Sequence, residues 1–254
     1  MPEIEVFADV GCPFTHVGLR RFAERRDADP ALADVRLRVR SWPLELVNDA
    51  PLDPDFIAEE VDEIREQVAP DLFAGFDPAA FPATGLPAMA LAAAAYRDDV
   101  ATGEAVSLAL RDLLFEQGRD VADAGVLAGV ADAHGVGFDP GDPPVALVRD
   151  DYAEGRDRGV QGSPHFFTPA GAFFCPSLDI SRDAQGHLRI TADPVGFDQF
   201  LDSCFGGAER SRGADEPDAE GAPRDEEPPT SRQRGAAERS RGADEPDAEG
   251  APRD

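Results

Sequence analysis

The stretch "IEVFADVGCPFTHVGLRRFAERR", residues 4–26, decides the fold. An apolar run stops at Gly11, and a cysteine followed by proline then opens a segment with Val17, Leu19 and Phe22 among its apolar positions. Pro13 suits a first helical turn, because its missing N–H would have had no helical partner there. The pattern predicts a strand over "EIEVFADV", a tight turn and a helix over "CPFTHVGLRRFAERR". "DVRLRVRSWPL", residues 34–44, alternates at period two and predicts a second strand, which completes a β-α-β unit. Cys12 stands where the helix begins. A thiol reacts as thiolate, and the unpaired N–H groups and positive dipole end of a helix N-terminus favour that form.

The middle of the chain, 51–158, is dominated by helical segments, several opening after Asp, Thr-Gly or a proline: "DFIAEEVDEIREQV", "LPAMALAAAAYRDDV", "GEAVSLALRDLLFEQ", "DAGVLAGVADAHG" and "DPPVALVRDDYAEGRDRG". "SPHFFTPAGAFFCP" then reads as a hairpin with Pro169, Ala170 and Gly171 in its turn, and "DPVGFDQFLDSCF" as a closing amphipathic helix. The order β-α-β, helices, β-β-α is an α/β thioredoxin fold, 1–50 and 159–205, interrupted by an all-helical insertion over 51–158. Beyond it, "AERSRGADEPDAEGAPRD" occurs at 208–225 and again, identical, at 237–254. So polar a repeat buries too little apolar surface to offset its ordering entropy, and 206–254 is expected to be a disordered acidic tail.

Composition narrows the function. The net charge is −27 and all 24 basic residues are arginine, a balance that repels a phosphate backbone and argues against nucleic acid as a partner. Both a GC-rich genome and adaptation to high salt produce such acidity. No apolar run approaches the roughly 18 residues a membrane helix needs, and "MPEIEVFADV" lacks the basic start and apolar core of a secretion signal. A cytoplasmic protein with three free thiols is expected. The cysteines and histidines show no paired ligand spacing, so no metal site is expected.

"GCPFTH" after the first strand, the helical insertion and "GVQGSPHFF" before the third strand together resemble the DsbA-like branch of the thioredoxin superfamily. The likeness is to the cytoplasmic group that includes 2-hydroxychromene-2-carboxylate isomerases and kappa-class glutathione transferases. It implies that Cys12 is a nucleophile and that Pro164 is a cis-proline facing it, with the Ser163 backbone free to pair with an extended substrate. Pro13, Ser163, Pro164 and His165 are the candidate substrate-binding residues. The sequence departs from the family's two-cysteine pattern at Thr15, which stands where a second cysteine would resolve the mixed disulfide.

From the residues themselves, Thr15 lies within one turn of Cys12 and is expected to donate a hydrogen bond to its thiolate. His16, four residues after Cys12, is expected on the same helix face, there to lower the thiol pKa or shuttle its proton. Cross-strand counting outward from a three-residue turn sets Cys175 opposite His165, at the active end of the sheet, as a candidate resolving thiol. Cys204, near Phe200 and Leu201, is expected to be buried as an apolar residue. The leading expectation is a thiol–disulfide oxidoreductase with thiol or disulfide substrates, no tightly bound cofactor and glutathione as a candidate co-substrate. A glutathione-dependent isomerase or transferase and a non-catalytic peptide-binding module are the alternatives.

Overall fold

The computed structural model describes residues 3–210, with side chains throughout except at 31 and 205–210. β1 (Glu3–Ala8), α1 (Pro13–Asp27) and β2 (Arg36–Ser41) form the expected β-α-β unit, followed by the short α2 (Leu44–Val47). The helical stretch comprises α3 (Pro54–Gln67), α4 (Leu86–Asp98), α5 (Val100–Phe115), α6 (Ala124–His134) and α7 (Val145–Asp157). Strands β3 (His165–Thr168), β4 (Gly171–Phe174), β5 (Leu178–Arg182) and β6 (Leu188–Ala192) precede α8 (Pro194–Arg210). The main sheet has the order β2-β1-β3-β4, with β1 parallel to β2 and antiparallel to β3. This is the thioredoxin arrangement with helices inserted between β2 and β3. Among the described residues no helix is long and apolar enough to cross a membrane.

Central β1 is covered on both faces. Ile4, Val6 and Ala8 share a core with Leu37, Val39 and Phe166, with Leu19 and Phe22 of α1 and with Phe200, Leu201 and Cys204 of α8. Phe7 points the other way and meets Trp42 and Phe167 edge-on. The helices have a second core, to which α3 contributes Ile57, Val61 and Ile64 at helical spacing, α4 Leu91, and α5 Leu110 and Leu114. Asp53, Asp99 and Asp123 cap α3, α5 and α6 by accepting first-turn N–H bonds, and α5 opens at Val100, three residues before the expected start at Gly103.

β2 is an edge strand, and the inserted helices satisfy its outward backbone groups. The Tyr96 hydroxyl accepts from the Val39 N–H at 3.0 Å and donates to the Leu37 carbonyl at 3.0 Å, while Glu104 accepts from the Leu37 N–H at 2.7 Å. Glu104 is itself paired with the buried Arg26 of α1. Covering the edge this way removes a template for stray strand pairing. Tyr96→Phe leaves the buried Val39 N–H without its partner, so it should destabilise the fold by about 1–3 kcal/mol. Chemical denaturation reads this directly; an unchanged midpoint would show that the hydroxyl contributes nothing to holding the edge.

Three sequence expectations need correction. The β3–β4 turn contains two residues, Pro169 and Ala170: Thr168 pairs with Gly171, Phe166 with Phe173 and His165 with Phe174. Cys175 is therefore not opposite His165 but one step beyond, where its N–H donates to the Pro164 carbonyl at 3.0 Å. Second, β5 and β6 add a two-stranded sheet that the sequence pattern did not announce. Their apolar residues are few, Leu178, Ile180, Leu188 and Ile190, and support comes from α3, where Gln67 Oε1 accepts the Ile190 N–H at 2.9 Å. Third, α8 extends through Arg210, past the expected tail boundary at 206, because its helical backbone continues there. The rest of the tail, from 211, lies outside the described residues.

Candidate active site

Cys12 is the N-cap of α1, with φ −84° and ψ 115°, and Pro13 follows in the first turn as expected. Its Sγ donates to the Ser163 carbonyl at 3.2 Å. The Ser163–Pro164 peptide bond is cis. The Ser163 hydroxyl meets the Thr15 hydroxyl at 2.7 Å and accepts the Asp9 N–H at 2.9 Å. The Cys12/Thr15 face of α1 and the 163–164 loop are thus stitched together by side chains that surround one thiol. Pro13, Thr15, Ser163, Pro164 and His165 are all buried.

Burial dominates the electrostatics. Cys12 is 3% exposed, and desolvation raises its pKa above the ordinary thiol value. The thiol makes no capping hydrogen bond at rest, but Thr15, through hydroxyl and backbone N–H, and Ser163 lie near enough to favour its ionised form, while Glu60 opposes it. The expectation of a thiolate held ready at a helix terminus is corrected: this site rests as a protonated thiol, because loss of water outweighs the helix-end N–H groups. Thr15 has the role expected of it only in part, since its hydroxyl is engaged with Ser163 as well.

His16 is placed elsewhere. It is 1% exposed, and its Nε2 lies 2.7 Å from Glu116 Oε1, with its ring against Phe73 and Phe115. Burial pushes the His16 pKa down while Glu116 pulls it up. Burial alone would raise the Glu116 carboxyl, but His16 and the N–H groups of Phe73 and Ala74 hold it at about 2. His16 therefore clamps α1 to the end of α5, and its ring nitrogen is bonded to Glu116 and not to the Cys12 thiol. The His165 Nδ1 accepts the Gln161 N–H at 3.0 Å and its ring stacks on Phe167. Burial, then Arg158, takes its pKa down to about 4.

A family model described as a DSBA-like thioredoxin domain matches residues 3–182. The chain belongs to the DsbA-like thioredoxin family. Solved structures share the DsbA-like fold at low sequence identity. The cytosolic disulfide reductase DsbM from Pseudomonas aeruginosa is 16% identical over 84% of this chain and 100% of its own, with a TM-score of 0.54. A probable DsbA oxidoreductase from Streptomyces coelicolor is 19% identical over 86% of this chain and 93% of its own, with a TM-score of 0.52. A 2-hydroxychromene-2-carboxylate isomerase is 12% identical over 68% of this chain and 88% of its own, with a TM-score of 0.51. No curated protein matches the chain.

Three ionisable residues around this DsbA-like site escaped the sequence reading. The Asp9 carboxylate accepts the Gly11 and Leu44 N–H groups, each at 2.7 Å, and holds the turn that carries Cys12. Burial pushes its pKa up to about 6 against those bonds and against Arg111. The buried Arg111 donates to the Asp9 carbonyl at 3.1 Å and to the Ser107 hydroxyl at 2.7 Å, placing a positive charge behind the thiol. Each had a faint signal: an acid ending an apolar strand, and a lone arginine inside "SLALRDLLF". Glu60, which burial pushes up to about 8, had none, because only the tertiary fold brings α3 towards Cys12.

Proposed function

We propose that the chain is a thiol–disulfide oxidoreductase in which Cys12 opens the disulfide of a thiol or disulfide substrate. The observation that carries this is the Cys12 thiol at the N-cap of α1, resting on the carbonyl of the residue before Pro164. A substrate sulfur that takes Sγ off that carbonyl frees a backbone acceptor for the substrate's own chain. Family membership supports the same reading. Because Thr15 cannot act as a second thiol, release of product falls to a thiol outside the motif, and glutathione is a co-substrate of the right class. A reducing, cytoplasmic setting suits such a reaction.

The site is closed at rest. Cβ atoms built on Gly11 would lie 3.0 Å from Phe81 and 3.1 Å from Leu52, so these side chains cover the turn before Cys12. A substrate reaches the sulfur when they move aside. Incubating the protein with oxidised glutathione, alkylating the remaining thiols and mapping peptides should show Cys12 as the first thiol lost, with Cys204 still free. Cys12 remaining free while another cysteine is oxidised would overturn the reading.

A further inference from the structure

The two-residue hairpin turn moves Cys175 from a strand pair to the far side of the cis-proline, and this changes what it can do. Cys175 and Cys12 belong to the same buried cluster, whereas Cys204 sits in the other core, between α8 and the sheet. The two loop segments that carry them are tied together: the Cys12 thiol bonds the Ser163 carbonyl and the Cys175 N–H bonds the next carbonyl, that of Pro164. The face of α1 that bears Thr15 also bears Gly18, where an added Cβ would lie 3.8 Å from both Pro164 Cγ and Ser177 Oγ. One seam therefore runs from Cys12 along α1, with 163–164 and 175–177 as its opposite wall.

Two features mark that wall. Cys175 has φ 45°, a left-handed conformation uncommon for a side-chain-bearing residue and shared here with Asp49 and Phe73. The Ser177 hydroxyl is buried with no hydrogen-bond partner among the described residues. All three cysteines are free thiols at rest.

We propose that Cys175 is the resolving thiol of this site, so that the redox couple is Cys12 with Cys175 across the fold. This rests on the oxidoreductase reading and names the thiol that completes it. In the first step the Cys12 sulfur attacks R–S–S–R′, forming Cys12–S–S–R and releasing R′–SH, which takes the Cys12 proton. In the second the Cys175 sulfur attacks Cys12 Sγ, forming the Cys12–Cys175 disulfide and releasing R–SH, which takes the Cys175 proton. The protein has then given two electrons and two protons to the substrate. Two equivalents of a low-molecular-weight thiol such as glutathione restore both thiols and leave as its disulfide. Burial, and next the charge that Cys12 carries when ionised, raise the Cys175 thiol above its ordinary pKa, and a mixed disulfide on Cys12 removes the second influence while burial stays.

The test uses the full chain in a Cys204→Ala background, with oxidised glutathione as the probe, followed by non-reducing peptide mapping over time. The expected product is a Cys12–Cys175 linked peptide. Both Cys175→Ser and Cys175→Gly should instead hold the glutathione adduct on Cys12 about tenfold longer or more, since an intramolecular thiol acts at high effective concentration. The glycine variant accepts the positive φ without strain, so it keeps the comparison valid if serine perturbs the loop. Absence of the linked peptide, with adduct lifetimes equal in all three proteins, overturns the resolving role while leaving Cys12 as nucleophile. Absence of any Cys12 adduct in every variant overturns both readings.

Discussion

Cys12→Ser is expected to abolish disulfide exchange while leaving the fold in place. A serine hydroxyl stays protonated at any pH the protein survives, so no attacking anion forms on the atom that rests against Ser163. Structurally the change is small, because Sγ makes one hydrogen bond to a backbone carbonyl and a hydroxyl can make the same one. The loss of stability should be on the order of 1 kcal/mol. Reduction of insulin or of a glutathionylated peptide, with glutathione as reductant, should fall to the uncatalysed background. The pH profile of the parent protein adds a second readout. Burial lifts the Cys12 thiol above its ordinary range, so the reactive fraction at neutral pH is small. The exchange rate should climb steadily from pH 7 through the usual thiol range, with no plateau near neutrality. Turnover retained by the serine variant would end the case for Cys12, and a plateau near pH 7 would show that the thiol is far less buried in the working state.

The parts of this site that the sequence revealed are those written in local patterns. "RLRVRS" alternates in burial as its period-two pattern requires, with Leu37, Val39 and Ser41 inward. Pro13 marks the helix start, and Asp123 opens the segment it caps, whereas the pattern runs α4 through Asp99 and opens the next helix three residues past its true start at Val100. What failed were inferences that count across a boundary. Helical spacing sets His16 beside Cys12, yet Cys12 is the N-cap with extended backbone and its sulfur turns across the helix end to Ser163. The actual partner of His16 is Glu116, a hundred residues away, which no spacing rule can find. The hairpin failed by a single residue. "TPAG" reads equally well with three turn residues or two, and Gly171, with φ 146°, takes the first paired position instead of the last turn position. That one step carries Cys175 from beside His165 to the carbonyl of Pro164.

Thr15→Cys is expected to turn the site into a self-contained dithiol and to make Cys175 dispensable. Position 15 is fully buried, and its hydroxyl lies near enough to the Cys12 thiol to lower its pKa, so a sulfur placed there starts beside its partner. Residues three apart on a helix hold their Cβ atoms about 5–6 Å apart, somewhat more than the roughly 3.5–4.5 Å of a disulfide. Cys12, as an N-cap outside the helical conformation, has the backbone freedom to close that difference. The change removes one hydroxyl contact with Ser163, which keeps its bond from the Asp9 N–H, so the stability loss should be about 1 kcal/mol. A mild oxidant should yield, in the peptide map, a bridge between Cys12 and the introduced thiol. If resolution by Cys175 limits the reaction, Cys175→Ser should slow glutathione-driven turnover about tenfold, and adding Thr15→Cys should restore it, because the new thiol is nearer than the one it replaces. Failure to form the bridge would mean that α1 does not begin at Pro13 in solution. A bridge that forms without restoring turnover would mean that opening of the Leu52 and Phe81 cover, and not attack on the mixed disulfide, sets the rate.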